Sequence, residues 1–261
     1  MSNTRHERQV PIFSQLPRPI WGRPESWGEE GSVTAWHQHA WGQFSYAATG
    51  ILQVQTRNVS YVSPPNYGIW IPQNIEHRVV SLGAAEMRSL YISTPLLCAD
   101  EWQQPLVCEI SPLCRELVIR FCQGDPYYAV DSKQARLAQV MLDELQDQPS
   151  VTMELPLPSD KRILKICQAL QNDPANRRSI EQWGNDIGLT GRSISRLFVL
   201  QTGLTFQQWR KRVRLIHALS LLQQGCRVAE VADQCGYDAL SAFSDAFKQQ
   251  FRVTPGQFFH I

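Results

Sequence analysis

The sequence has no run of 18 apolar residues, and its start, MSNTRHERQVPIFSQLPRP, is polar and then interrupted by prolines. It therefore offers neither a membrane-spanning segment nor a signal peptide. Its seven cysteines, an odd number, form no CxxC pair. These absences argue against a disulfide framework and a cysteine-ligated zinc site. We expect a cytoplasmic protein with reduced thiols and no membrane partner.

The composition is typical of a globular chain of about two domains, with 43% hydrophobic and 19% charged residues among 261. The net charge of +1 conceals an uneven distribution. Residues 1–158 carry 11 Lys and Arg against 16 Asp and Glu, a net −5, whereas residues 159–261 carry 14 against 8, a net +6. We therefore expect only the second part to bind a polyanion.

The hydrophobic pattern changes along the chain. Between Val33 and Ile92 short apolar or alternating runs are separated by Gly and Pro, which predicts a small sandwich or barrel. Residues 111–123 and 132–147 show helical periodicity, the latter through Leu137, Val140, Met141 and Leu145. The predicted domains are a sensor barrel at 1–95, a helical segment at 96–149, a linker at 150–158 and a helical domain at 159–261.

The helical domain contains a repeat. IEQWGNDIGLTGRSISRLF (180–198) aligns with VAEVADQCGYDALSAFSDAF (228–247), so that Gly188 falls on Gly236. Each copy predicts a helix, a tight turn at the glycine and a second helix, which Thr190 or Asp238 would cap. Ser179-x-x-Gln182 and Thr205-x-x-Gln208 have the form of capping boxes. The segment between the copies, FQQWRKRVRLIHALSLLQQG, predicts one long connecting helix.

Helix, glycine turn and helix form the helix-turn-helix unit, whose second helix can enter the major groove of DNA. The leading residues of that helix in the first copy are Gly191, Arg192, Ser193, Ser195 and Arg196. Arg192 and Arg196 share one face, and Arg is suited to bidentate contact with guanine. The connecting helix is predicted to contact phosphates through Arg210, Arg212 and Arg214.

The motifs RLF…TG…F and then A..CGY…S.F…FK..F..TP cover about residues 160–260. This segment resembles the DNA-binding domain of the AraC/XylS family of bacterial transcription regulators. The resemblance implies two units on a rigid linker helix that read successive major-groove turns of promoter DNA. By position, the family's base-reading residues are Arg192, Ser195, Arg196, Leu240, Ser241 and Ser244. Where the family usually has Arg, this chain has Asp245, so we expect the first unit to do most of the base reading.

The stretch WHQHAWGQ (36–43) concentrates chelating and aromatic side chains. On a strand, His37 and His39 would point to the same side. H-x-H-x3-Q-x6-G from His37 to Gly50, followed by G-x3-P-x4-H from Gly68 to His77, resembles the two motifs of the cupin barrel. That resemblance implies metal ligands at His37, His39, Gln43 and His77, with Gln43 in place of the usual carboxylate.

Three imidazoles suit zinc, nickel, iron or copper. The alternative is that these histidines are polar lining, which holds water or one another. Three histidines with an open position also form the catalytic zinc arrangement, so a cupin metalloenzyme such as a small-molecule oxygenase is a rival hypothesis. No nearby stretch offers an obvious base or nucleophile, and we name no catalytic residue.

Aromatic residues of the predicted strands could line an effector pocket or belong to the core. The candidates are Trp41, Tyr46, Trp70 and Tyr91. A small aromatic or heteroaromatic effector would suit them, directly or through a metal. In family members with this architecture the cupin half binds an inducer and the following helices mediate dimerisation, which implies a homodimer formed through 111–123 and 132–147.

The sequence thus predicts an α+β multidomain protein, with an N-terminal cupin β-barrel and a C-terminal all-α double helix-turn-helix domain. The predicted function is effector-controlled transcription regulation without enzymatic activity. Its partners would be promoter DNA, a small molecule and, for an activator, RNA polymerase. A third hypothesis is an architectural DNA-binding protein that senses nothing.

Overall fold

The structure, a computed structural model, describes residues 6–81, 83–97, 99–151 and 153–258. The chain divides into two compact units, Met1–Glu154 and Leu155–Ile261. The division falls inside the segment 150–158. That segment is not wholly irregular as predicted, because it contains two short strands.

The first unit is rich in short strands. In the described residues these are β1 (His6–Arg8), β2 (Ile20–Trp27), β3 (Ser32–Thr34), β4 (Gly42–Thr49), β5 (Leu52–Thr56), β6 (Val59–Ser63), β7 (Tyr67–Ile71), β8 (His77–Ser81), β9 (Ala85–Ile92), β10 (Leu106–Glu109) and β11 (Ser150–Val151). A further short strand, β12 (Glu154–Pro156), spans the boundary between the two units. Two 3-10 turns, Thr94–Leu96 and Asp100–Gln103, precede β10. The strands therefore begin before Val33 and continue past residue 95.

The strands form two sheets. One has the order β1-β3-β8-β5-β6, and the other has the order β11-β10-β7-β4-β9-β2. Strand β10 pairs with β7 although it lies in the segment 96–149 that was predicted to be helical. The predicted border at residue 95 is therefore wrong, since it divides a continuous sheet.

The central strand β4 separates two environments. Its Phe44 and Tyr46 belong to a core that also contains residues of two helices, α1 (Pro112–Cys122) and α2 (Lys133–Gln146). Gln43 and Ser45 alternate with them and so point to the opposite face, where their side chains hydrogen-bond to each other at 3.1 Å. One face of β4 thus supports the core and the other supports a polar cluster.

The second unit is helical in its described residues. The helices are α3 (Lys161–Asn172), α4 (Ile180–Ile187), α5 (Gly191–Thr202), α6 (Phe206–Gln223), α7 (Val228–Gln234) and α8 (Leu240–Phe251). Residues of α3 to α6 share one buried core, in which Phe198 and Trp209 are wholly inaccessible to solvent. Trp209 also donates its indole N–H to the carbonyl oxygen of Pro156 at 2.7 Å.

The two predicted helix-turn-helix units, α4–α5 and α7–α8, are present. Gly188 ends α4 with φ 69° and Gly236 follows α7 with φ 73°, the left-handed region that glycine enters at little cost. Thr190 caps α5, and both predicted capping boxes are formed. The cap predicted at Asp238 is wrong. Helix α8 begins one residue later, after Ala239, which makes no side-chain capping bond.

The predicted fold class, a sheet-rich N-terminal part followed by a helical C-terminal part, is confirmed. The six cysteines in the described ranges are free thiols, and Cys98 lies outside those ranges. Among the described helices, none combines the length and apolar character needed to cross a membrane.

Candidate metal centre and nucleic-acid interface

Three histidines from two separate segments meet in the first unit. His37 is not part of a strand as predicted, but its backbone exchanges two hydrogen bonds with His77, at 2.9 and 2.8 Å. His39 is anchored by its carbonyl, which accepts from the backbone N–H of Asn74 at 2.8 Å. One ring nitrogen from each histidine lies within 4.8 Å of those of the other two. The backbone thus brings together the three predicted histidines.

The second ring nitrogen of each histidine is already engaged. Nδ1 lies 2.9 Å from the carbonyl oxygen of Ala35 in His37, 2.6 Å from that of Trp41 in His39 and 2.8 Å from that of Ile75 in His77. A carbonyl oxygen only accepts, so Nδ1 must carry the proton in each neutral ring. The Nε2 atoms are then unprotonated, the form in which an imidazole binds a metal.

Gln43 completes the cluster. Its Oε1 lies 3.1 Å from Nε2 of His39 and 3.2 Å from Nε2 of His77, while its Nε2 donates to Ser45 at 3.1 Å. In this orientation an acceptor oxygen faces two acceptor nitrogens, an arrangement that a bound cation stabilises. Rotating the amide by 180° would instead let its N–H groups donate to both rings, as polar lining would require.

The surroundings keep the three rings neutral. Burial is the largest cause that lowers the pKa of His37 and of His39. At His77, burial and then the neighbouring His37 lower the pKa to about 3. At pH 7 each ring therefore has a nitrogen lone pair available to a ligand.

A cavity of about 740 Å³ adjoins the cluster. Residues 7–14 line one part of it, and residues 35 and 37–41 line another, so that His37 and His39 belong to both the cavity wall and the cluster. Its volume is in the range of pockets that hold small organic ligands. No pattern in residues 7–14 predicts that they line a cavity.

Two of the four predicted pocket aromatics lie beside the histidines. The rings of His39 and Trp41 are stacked with centroids 5.3 Å apart, and Tyr91 packs edge-on to His39 at 5.7 Å. Two further rings join them: Phe13 lies 6.0 Å from Trp41 and 5.0 Å from Trp21. Neither Phe13 nor Trp21 was predicted to lie here; Phe13 stands in a stretch interrupted by prolines, where no periodic pattern indicates its position.

The assignment of Tyr46 and Trp70 to the pocket is wrong. Both belong to the core shared with α1 and α2, and Trp70 donates its indole N–H to the carbonyl oxygen of Trp102 at 2.8 Å. Tyr46 lies on the face of β4 opposite to Gln43, and Trp70 pairs with Phe44 on the same side. Side-chain alternation in the strands therefore directs them away from the histidines.

The first helix-turn-helix unit presents Arg192, Ser195 and Arg196 on the exposed surface of α5. Within the described part of the chain neither guanidinium has an ion-pair partner. Ser193 is half-buried, and both its backbone N–H and its hydroxyl lie within hydrogen-bonding distance of the Thr190 hydroxyl, at 3.2 and 3.0 Å. Ser193 thus belongs to the helix cap, contrary to the predicted contact with DNA.

Two of the three arginines predicted to contact phosphates point into the protein. Arg210 donates to the carbonyl oxygen of Arg178 at 3.1 Å, and Arg214 donates to that of Pro174 at 3.0 Å. Burial is the largest cause that lowers the pKa of each. The prediction is wrong for both, since a guanidinium used to join carbonyl oxygens is not available to DNA. Arg212 is half-buried.

The second helix-turn-helix unit, α7–α8, offers a different surface. Leu240 on α8 is 48% exposed, Ser241 and Asp245 are exposed, and Ser244 is half-buried. Asp238 pairs with Arg177 at 2.7 Å. The leading face of α8 thus carries an apolar and an acidic side chain where α5 carries two arginines.

Family models match the two compact units separately, and a relative matches most of the chain. Residues 23–154 match a family model described as an AraC-like ligand binding domain, and residues 183–260 match one described as a helix-turn-helix domain. The HTH-type transcriptional regulator NimR of Escherichia coli (strain K12) is 34% identical over 225 residues, which cover 85% of this chain and 81% of that protein.

Two further matches are weaker. The HTH-type transcriptional regulator RipA of Corynebacterium glutamicum is 32% identical over 103 residues, 40% of this chain and 31% of that protein. A crystal structure of ToxT from Vibrio cholerae with bound unsaturated fatty acid has 13% identity and a TM-score of 0.39, and the match covers 92% of this chain and 94% of that one.

Proposed function

Because this chain belongs to the AraC/XylS family of transcription regulators, we propose that it senses its effector at the histidine cluster and reads its operator mainly through Arg192 and Arg196. The family assignment makes it a DNA-binding regulator with a ligand-binding domain. What the proposal adds is the location and the chemistry of each contact.

The observation that carries the sensing proposal is that the cavity and the histidine cluster share a wall. His37 and His39 line the cavity and also face His77 and Gln43. Trp41, which stacks on His39, lines the cavity as well. A planar aromatic or heteroaromatic molecule in this cavity would lie beside Trp41 and the edge of the histidine cluster, which supports an effector of that class.

The donor set fits a metal ion. Three neutral imidazoles each bring one ring nitrogen to within 4.8 Å of those of the other two, and Nε2 of His39 and of His77 lies beside the amide oxygen of Gln43. A divalent zinc, nickel, iron or copper ion would be held by His37, His39, His77 and Gln43, and would offer a Lewis-acidic position to a ligand.

The two helix-turn-helix units are proposed to contribute unequally to sequence reading. Two exposed arginines on α5 can each make a bidentate contact with guanine. On α8, Leu240 can touch only a thymine methyl group, and the carboxylate of Asp245 repels nearby phosphates. The first unit therefore supplies most base discrimination, and the second contributes docking or weaker promoter discrimination.

The protein is proposed to act as a homodimer through α1 and α2. Leu113 on α1 is 56% exposed and Val140 on α2 is 50% exposed, although both helices bury their opposite faces in the core. Exposed large aliphatic residues on two neighbouring helices are suited to contact with a second copy.

Equilibrium binding to the DNA upstream of the protein's own gene tests the sensing proposal. Full-length, tag-free protein is measured before and after chelation, with a panel of aromatic and heteroaromatic compounds. We expect salt-sensitive, specific binding that one compound changes at least fivefold in wild type but not in His77→Ala. An effector acts only through differential affinity for two states of the protein.

Three results would contradict this proposal. An equal response in wild type and His77→Ala would place the sensor elsewhere. Binding indifferent to every compound and metal would indicate an architectural protein. Substrate turnover that a chelator abolishes would indicate a metalloenzyme.

A further inference from the structure

We propose that Arg214 is a positioning residue that holds the two helix-turn-helix units at one spacing, so that the protein selects operators by the distance between their half-sites. This inference rests on the proposed function, since it assumes that both units bind DNA and that the second unit also discriminates between bases at its own half-site. It concerns the joint between the units rather than the residues that touch bases.

Arg214 lies on α6, the helix between the units, and its guanidinium turns back to the segment 173–178 ahead of α4. Nε donates to the carbonyl oxygen of Pro174 at 3.0 Å, and a terminal nitrogen lies 3.5 Å from the carbonyl oxygen of Asn176. A guanidinium can bind two carbonyls at once because its donors lie in one plane. Arg214 thus joins the linker helix to the entrance of the first unit.

The same guanidinium reaches the second unit. Its central carbon lies 5.8 Å from the ring centroid of Tyr237, in the turn between α7 and α8. The Tyr237 ring packs in turn on Phe243 of α8, with centroids 5.3 Å apart. Arg214 therefore contacts the turn from which the second recognition helix begins.

The turn of the second unit also presses directly on the segment 173–178. A Cβ atom at Gly236 would lie 2.9 Å from both the Cα and the carbonyl oxygen of Ala175, and 3.0 Å from a terminal nitrogen of Arg214. Only glycine permits so close an approach of two backbones. The adjacent ion pair of Arg177 and Asp238 is largely exposed and adds little.

Arg210 provides a matched control on the same helix. Like Arg214 it is half-buried and donates to a carbonyl oxygen, that of Arg178. Its other side-chain partners in the described residues are Gln207 and the Phe206 ring. Arg210 therefore makes the same kind of contact with the segment ahead of α4, but none of these partners lies in the second helix-turn-helix unit.

A fixed joint has a consequence for DNA recognition. Half-sites read on one side of the duplex are separated by about 10–10.5 base pairs. One inserted base pair turns the second half-site by roughly 34° and moves it by about 3.4 Å. A rigid pair of units cannot follow that change without losing contacts, whereas a loosened pair can.

The test is a set of operators with the native spacing and with one base pair added or removed between the half-sites. The operator is first located by footprinting in the upstream region, and affinities of full-length protein are measured by fluorescence anisotropy. For wild type we expect at least a tenfold loss on changing the spacing. For Arg214→Ala the loss should fall to about threefold or less, while Arg210→Ala should keep the wild-type ratio.

Gly236→Ala disturbs the same joint from the other side and should relax spacing selection in the same way, so it serves if Arg214→Ala does not fold. Circular dichroism and melting temperature verify the fold of each variant. A folded Arg214→Ala or Gly236→Ala protein that keeps the wild-type ratio overturns the proposal, as does a wild type that tolerates all spacings. A wild type without any operator preference would instead contradict the proposed function.

Discussion

His37 and His77, 40 positions apart, exchange two backbone hydrogen bonds of 2.9 and 2.8 Å outside any longer strand ladder. This bridge and the hydrogen bond from the Asn74 backbone N–H to the His39 carbonyl oxygen hold the two segments of the histidine cluster side by side, with the ring centroids of His37 and His77 4.3 Å apart. The main-chain hydrogen bonds thus set the positions of the two segments. A site whose backbone is already in place requires little reordering when it binds an ion or a small molecule.

Replacing Arg192 or Arg196 by Ala should reduce discrimination between operator and random DNA by about 1–3 kcal/mol, roughly 5- to 150-fold, because each removes a potential bidentate contact. Leu240→Ala should cost threefold or less, since it removes only an apolar contact. A gel-shift series measures all three variants. Comparable losses for Leu240 and the arginines would contradict the proposed division between the two units.

Gln43→Glu should separate a metal site from polar lining. If the cluster is a metal site, the Gln43→Glu variant should bind the cation at least tenfold more tightly than wild type, because a carboxylate replaces an amide. If the cluster is polar lining, the new carboxylate faces unprotonated ring nitrogens, so the melting temperature of the variant should fall. Metal titration followed by calorimetry measures both quantities. An unchanged metal affinity would show that Gln43 is not a ligand.

Metal content gives a direct assay of the cluster. Tag-free wild type, reconstituted with zinc, nickel, iron or copper, should hold about one ion per chain by elemental analysis, and His77→Ala should hold much less than one. Wild type without stoichiometric metal after reconstitution would rule out the metal centre and leave the histidines as polar lining.

Leu113→Glu and Val140→Glu should each weaken self-association at least tenfold, because a charge would be buried at the proposed interface. Val130→Glu provides the control: it is 79% exposed but lies between the two helices in sequence. Analytical ultracentrifugation measures the effect. Dimers of equal strength in all three variants would place the interface elsewhere.

Thr190→Ala should destabilise the helical compact unit, Leu155–Ile261, by about 1 kcal/mol, because Ser193 loses the capping hydroxyl 3.2 Å from its backbone N–H. Asp238→Ala, at the equivalent position of the second repeat, should cost less than about 0.5 kcal/mol, since no capping bond forms there. Urea unfolding of the two variants measures the difference, and equal losses would contradict the assignment of the caps.

Most of the structural features that the sequence predicts correctly depend on residues close together in the chain. Gly188, Thr190 and the two capping boxes act within four residues of their own positions, so the helical repeat could be predicted closely. The meeting of His37, His39 and His77 could also be predicted, although the reason was partly wrong: a strand was expected at His37 and His39, and the structure has an isolated bridge at His37.

The failures concern the direction in which a side chain points. Tyr46 and Trp70 have the right residue type for a pocket, but strand alternation and register turn them towards α1 and α2. Arg210 and Arg214 were counted as surface charges, yet their partners are carbonyl oxygens more than 30 positions earlier. Such partners become visible only when the helices are packed.

The central claim is that the glycine-hinged helix pairs bind promoter DNA with sequence preference. This claim is tested most directly by competition binding at low ionic strength between the DNA upstream of the protein's own gene and random duplex DNA. We expect the upstream region to bind at least 100-fold more tightly, with the preference reduced in Arg192→Ala and Arg196→Ala. Equal affinity for the two duplexes would contradict the account.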